Sequence, residues 1–244
     1  MEDEVEQISK NSYKGSDFEE QEHDRYKNNP DLLAQVKPKA TRLFSYNWAS
    51  GFISPFRPTP QGILSDMLQH VHFSTPNRDS LLDLGCGDGI VLVQALQTFP
   101  STQLKRAIGI DLDKPLLEAA KDRIFLQAQT KTDPKSKTEM HDILSRLELY
   151  HGDLTTKDDL LSPVMPTEPN SKAPQTMKRL IEQCSHLFVY LLPDALSKLT
   201  PLLLEAIELQ HKVVLSMRWE IPELKHYLIQ GGSDCQFYIY SYSP

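Results

Sequence analysis

Leu81-Leu82-Asp83-Leu84-Gly85-Cys86-Gly87-Asp88-Gly89-Ile90-Val91 reads as an apolar strand carrying one acidic residue, three alternating glycines, then the apolar start of a helix. Glycines at this spacing allow a tight strand-to-helix turn whose backbone can approach a ligand with no side chain in the way. The dinucleotide fingerprint is G-x-G-x-x-G, whereas this chain has G-x-G-x-G, and the Lys-Ser or Lys-Thr of a phosphate loop is missing. A turn rich in Gly and Asp suits a ligand with a zwitterionic amino-acid end better than one with a pyrophosphate. Cys86 reads as a small neutral spacer inside the turn.

Working outward, strands and helices alternate. Arg106–Asp111 is a second buried strand, and Asp113 with Pro115 opens a helix carrying Leu116, Leu117, Ala120, Ile124 and Phe125. Lys131–Thr138 reads as a solvated insertion before a short helix through Ile143 and Leu144. Leu147–His151 is strand three. Four prolines between 162 and 174 indicate a surface loop. Met177–Cys184 is helical, Leu187–Leu192 is strand four, and Ala195–Leu209 is a helix that Pro201 should kink or split. Lys212–Met217 is strand five. Tyr227–Gln230 and Gln236–Tyr242 flank Gly231-Gly232-Ser233-Asp234 as a hairpin. Parallel βα units closed by an antiparallel hairpin give an α/β, doubly wound, mostly parallel sheet of seven strands.

Composition sets the bounds. At 244 residues, one substantial α/β domain is expected. The chain divides into an acidic tail over 1–40, read as disordered, and a domain over 41–244 that includes an aromatic and helical extension at 41–78. Residues 1–30 hold nine acidic and four basic side chains, a net −5 of the chain's −7. That acidic opening fits neither a secretory signal nor a mitochondrial presequence, and a cytoplasmic address is expected. With only −2 left for the remainder, no concentrated basic surface marks a nucleic-acid partner. No apolar run is long enough to span a membrane. The three cysteines are widely spaced and the eight histidines form no H-x-x-x-H pair, so no metal site is expected. Phe44–Phe52 is dense in aromatics and should pack on the domain or line a pocket; Pro58-Thr59-Pro60-Gln61 follows, where Thr59 and Pro60 read as N-cap and first turn of a helix.

In a doubly wound sheet a ligand sits at the carboxyl ends of the strands, at the switch point beside strand one. Asp83 lies two residues before the first glycine. Asp111 ends strand two, twenty-two residues after Gly89, where a carboxylate can hold both ribose hydroxyls. Asp153 follows strand three, where an adenine amino group needs an acceptor. Asp88 is either a contact for an amine or a cap on the following helix.

This ordered series of glycine turn, Asp111 and Gly152-Asp153 resembles the seven-stranded, S-adenosylmethionine-dependent methyltransferases over about residues 80–217. The resemblance implies S-adenosyl-L-methionine as cofactor. It implies Gly85, Gly87 and Gly89 as backbone contacts to the methionine portion, Asp111 as ribose ligand and Asp153 as adenine ligand. Asp83, Asp88 and Thr59 complete the expected cofactor-binding set. Phe56-Arg57-Pro58-Thr59-Pro60-Gln61, Val189-Tyr190-Leu191-Leu192-Pro193, Val213-Val214-Leu215-Ser216 and Phe237-Tyr238-Ile239-Tyr240 resemble a narrower group. These are the protein-lysine methyltransferases of the ATP synthase c-subunit and adenine nucleotide translocase type, from which the chain departs in its acidic instead of apolar N-terminal segment.

The acceptor should meet the segment after strand four. Methyltransferases of planar exocyclic amines place an Asn or Asp before two prolines there, and this chain has Tyr190-Leu191-Leu192-Pro193. An aromatic ring in an apolar surround suits an alkylamine and lowers its pKa from ~10.4 toward the neutral, nucleophilic form. Tyr190 and Pro193 are therefore the expected acceptor-side residues, and a protein lysine the expected substrate. Trp48 and Arg218-Trp219-Glu220 are expected to border the same mouth. A small-molecule or RNA methyltransferase and a non-catalytic cofactor-binding scaffold are the alternatives.

Overall fold

The computed structural model describes residues 56–73, 79–130, 134–154, 160–165 and 175–242. The elements are α1 (Gln61–Gln69), β1 (Ser80–Leu84), α2 (Ile90–Thr98), β2 (Arg106–Asp111), α3 (Lys114–Thr130), α4 (Pro134–Arg146) and β3 (Leu147–His151). They continue as β4 (Leu160–Met165), β5 (Gln175–Thr176), α5 (Met177–Gln183), β6 (His186–Val189), α6 (Pro193–Gln210) and β7 (Val213–Met217). A 3₁₀ turn (Pro222–Tyr227), β8 (Leu228–Gly232) and β9 (Phe237–Tyr240) complete the chain.

The strands form one sheet in the order β5-β4-β3-β2-β1-β6-β7-β9-β8. β3, β2, β1, β6 and β7 run parallel, and β9 and β8 close the far edge antiparallel. This is the doubly wound, Rossmann-like α/β sheet expected, with β1, β2, β3, β6, β7, β8 and β9 as the seven expected strands and β4 and β5 added at one edge. The central strands are buried on both faces, which is why β1 and β2 are nearly continuous in apolar residues. Leu81, Ala107, Leu149 and Phe188 join the core on the face covered by α1, α2, α3 and α4. Leu82, Ile108, Val189 and Val214 join the core on the opposite face, under α5 and α6. The winding reverses between β1 and β6. Right-handed crossovers in opposite directions place the two helix layers on opposite faces and open a switch point at β1.

Five expectations need correction. The proline-rich segment is not wholly a loop: Leu160–Met165 forms β4, antiparallel to β3, with Pro163 opposite Tyr150. β5 pairs with Leu160 and Leu161, so among the described residues Pro163 meets no strand on the side away from β3, as a proline on an edge strand allows. The insertion after Lys131 is helical from Pro134. Its last residue, the buried Arg146, donates to the carbonyls of Leu96, Phe99 and Leu104 at 3.1, 3.3 and 2.8 Å and so caps the end of α2.

Pro201 does not split α6, which runs unbroken through it. Pro201 and Ser197, whose carbonyl loses its partner, both lie on the exposed side of that helix, where water can take the carbonyl. α1 starts at Gln61 with Pro60 as N-cap, so Thr59 is one residue too early and caps nothing with its side chain. Strand four of the sequence reading ends at Val189, leaving Tyr190–Leu192 as an extended exit. The tail, the aromatic run Phe44–Phe52 and Trp48 lie outside the described residues.

Candidate functional site

The glycine turn sits where β1 ends, at the carboxyl edge of the parallel strands. Gly85, Gly87 and Gly89 have φ of 90°, 51° and 72°, a region L-residues adopt only with strain. Alternating left-handed residues curl the backbone back on itself, and Gly89 N–H closes the curl on the Cys86 carbonyl at 2.8 Å. Gly85 and Cys86 N–H both donate to the Ile110 carbonyl, at 2.9 and 3.0 Å, pinning the turn to the end of β2. A Cβ at Gly109 would stand 2.5 Å from the Cys86 sulfur, so that glycine makes room for the buried thiol. Burial raises the Cys86 pKa well above the ordinary thiol value, and the negative charge of Asp111 adds to it. Such a thiol is a packing group.

Asp111 ends β2 half-buried at the centre of the site. One carboxylate oxygen accepts from Gly87 N–H at 2.7 Å and the other from Asp113 N–H at 2.8 Å. Burial pushes its pKa up from the ordinary carboxylate range, while the amide bonds of Asp113 and Gly87 oppose the shift. Each oxygen keeps a lone pair for a further donor. The Asp111 carbonyl accepts from Gly152 N–H at 3.0 Å, which brings the exit of β3, and with it the half-buried Asp153, alongside.

Asp83 is 1% exposed, and its Oδ1 has no hydrogen-bond partner among the described residues. Burial, reinforced by the negative charges of Asp111 and Asp88, raises its pKa well above the ordinary value. Asp88 accepts from Ile90 N–H at 3.2 Å, the local bond of a residue closing the turn into α2. An orphaned carboxylate oxygen beside three left-handed glycines and a second, half-buried carboxylate fits a ligand with one cationic and one hydroxylated end. The residues present therefore fit S-adenosylmethionine.

Three apolar neighbours of the turn escaped the sequence reading. A Cβ at Gly87 would come 2.6 Å from the Phe56 ring, and one at Gly85 would come 2.8 Å from Leu191 and 3.9 Å from Leu154. Phe56 arrives from the segment preceding α1, and its signal was only its place in Phe56-Arg57-Pro58-Thr59. Thr59 itself is buried.

On the acceptor side, Tyr190 is half-buried against the core under α1 to α4. It leads directly into Leu191, the residue that touches Gly85. Pro193 is exposed and forms the first turn of α6. Trp219 packs with the opposite core, under α5 and α6, so it and Tyr190 belong to different faces of the sheet. The Arg218 guanidinium lies 5.7 Å from the Trp219 ring. Among the described residues no helix is long and apolar enough to cross a membrane.

No family model matches the chain. A protein-lysine N-methyltransferase of Saccharolobus islandicus (strain REY15A) is 32% identical over 66 residues, which are 27% of this chain. The match spans only 38% of that relative's length. Among solved structures, the rRNA methyltransferase aviRa of Streptomyces viridochromogenes aligns over 85% of this chain and 94% of its own, at 11% identity and a TM-score of 0.44. Phosphoethanolamine N-methyltransferase 2 of Haemonchus contortus, in complex with S-adenosyl-L-methionine, aligns over 81% of this chain and 38% of its own, at 19% identity and a TM-score of 0.40.

Proposed function

We propose that the chain is an S-adenosylmethionine-dependent methyltransferase and that its acceptor is a lysine side chain of a protein. The observation that carries the cofactor half is the Asp111 carboxylate, held at the switch point by Gly87 N–H at 2.7 Å. That bond fixes the ribose ligand to the same turn that holds the amino-acid end, so one rigid unit sets both ends of the ligand. Gly85, Gly87 and Gly89 present backbone to the methionine portion, Asp83 faces its ammonium group, and Asp153 accepts from the adenine amine.

When bound, the cofactor supplies a methyl group already activated by a sulfonium leaving group. The chain's residues then have to position and desolvate the acceptor. Tyr190 gives the strand exit an aromatic wall on the α1–α4 side and Leu191 an apolar one on the opposite side, against Gly85, with no side-chain amide or carboxylate on either to hold a planar amine. Against such a wall a lysine amine loses hydration, its charged form is disfavoured, and the neutral lone pair becomes available. Aligning that nitrogen with the methyl carbon at about 3–3.5 Å converts an encounter into a unimolecular step. The partial match to a protein-lysine N-methyltransferase supports the same acceptor.

Incubating the purified protein with a lysate of a strain lacking it and tritiated cofactor tests the reading. Label recovered as methyl-lysine after protein hydrolysis is the expected result. Label confined to RNA or to small molecules would refute the lysine acceptor, and no label in any fraction would refute transfer.

A further inference from the structure

Three carboxylates meet at the glycine turn: Asp83 from β1, Asp88 within the turn and Asp111 from β2. Asp111 spends both oxygens on backbone amides and Asp88 bonds Ile90 N–H. Asp83 differs, being almost fully enclosed with Oδ1 unbonded. An ionised carboxylate enclosed in this way, with one oxygen unbonded among the described residues and two other carboxylates beside it, is a costly buried charge.

The neighbouring elements offer little relief. Asp83 is in register with Gly109 on β2 and Phe188 on β6, neither of which titrates. Phe188 and Tyr190 lie in the core on the Leu81 face, the face Asp83 shares by strand alternation. α1 and α2 turn Leu64, Met67, Val91 and Leu92 toward that core. Among the described residues, the titratable groups facing Asp83 are thus Asp111, Asp88, the Cys86 thiol and, at the exit of β6, the Tyr190 phenol. Burial and the two carboxylates all favour the neutral acid.

We propose that Asp83 carries a proton in the ligand-free protein and surrenders it when the ammonium end of the cofactor enters, so that cofactor binding is a proton-coupled exchange of one cation for another. The step is balanced: the Asp83 O–H bond breaks, the proton leaves to solvent, and the carboxylate pairs with the incoming α-ammonium. Protonated Asp83 is neutral and tolerates burial. Ionised Asp83 is tolerated only with a cation against it, and that condition confines its charged state to the liganded site. Affinity for any ligand bearing the amino-acid end therefore weakens as pH falls. A ligand with the adenosine end alone leaves Asp83 protonated. This inference rests on the cofactor assignment above, and its failure can be told from failure of that assignment.

Calorimetric titration in buffers of different ionisation enthalpy reads the proton directly. With S-adenosylhomocysteine, which keeps the ammonium, release should approach about one proton per ligand at its maximum, at pH values above the ordinary aspartate range. Methylthioadenosine, which lacks the ammonium, should release none. Asp83→Asn, which keeps the shape of the neutral acid, should fold and abolish the release. In the ligand-free wild type, the Asp83 carboxyl carbon should titrate above the ordinary aspartate range by NMR, a reading that needs neither a variant nor activity. Binding of S-adenosylhomocysteine with no buffer-dependent heat across that range would overturn the proton coupling alone, as would equal release by methylthioadenosine. Ordinary titration of Asp83 would overturn it as well. No binding by either ligand in a folded protein would overturn the cofactor assignment and the coupling with it.

Discussion

At the scale of single residues, the site assigns different work to chemically identical side chains. Asp111, Asp83 and Asp88 lie around one turn, yet one is bridged by two amides, one is orphaned and one closes the turn into a helix. The acceptor-side role proposed for Tyr190 is separable from the work of all three. Tyr190→Ala should cut turnover severalfold or more while S-adenosylhomocysteine affinity stays within about twofold, a change of under ~0.5 kcal/mol. Equal losses in both would show that the ring is packing alone. Every glycine of the turn and Asp111 were legible in the sequence, because a left-handed backbone and a strand-end carboxylate leave residue types as their mark. Phe56 and Leu191 were not. A ring or methyl group laid over a glycine looks in sequence like any other core residue, and only the tertiary approach reveals it.

Elements show a second pattern, in which buried polar residues stitch the ends of strands and helices. His186 opens β6 with its Nδ1 2.8 Å from Ser185 Oγ and its ring 4.4 Å from that of Phe73. Burial lowers its pKa to about 4, with the charge of Asp79 working against the shift. The unfolded imidazole binds a proton below about pH 6.5, and the folded one refuses it until about pH 4, so stability falls as pH drops through that window. The loss should reach about 3 kcal/mol across the window. Urea denaturation between about pH 7 and 4.5 should show a steeper decline for the wild type than for His186→Asn; parallel profiles would show that His186 is not the group responsible.

Packing at β2 gives a further expectation. At Gly109→Ala the new methyl would meet the Cys86 sulfur at 2.5 Å and Leu92 at 2.8 Å, and the variant should lose about 1–3 kcal/mol of stability. An unchanged melting temperature would mean that the Cys86 and Leu92 side chains move aside freely. Most elements were legible from apolar runs and caps. β4 and the early start of α4 were not. Pro163 reads in sequence as a loop residue although a strand near a sheet edge can hold a proline, and the polar sequence around Lys135 and Lys137 gives no helical stripe until Met140 and Ile143 reach the core.

For the molecule as a whole, the order β3-β2-β1-β6-β7 places the reversal of winding beside β1, and the glycine turn, Asp111 and the Tyr190 exit converge on that one point. This convergence was readable in outline because parallel βα units leave few topologies. The membership of each core face was not, since strands buried on both sides carry no alternation. The central claim is that this point is a cofactor site built around Asp111. Calorimetric titration of the wild type and Asp111→Ala with S-adenosylhomocysteine tests it most directly. The wild type should bind one ligand per chain, and the variant, shown to be folded by its melting transition, should bind more weakly by about 1–3 kcal/mol. Equal affinity in wild type and folded variant, or no binding by the wild type, would contradict it.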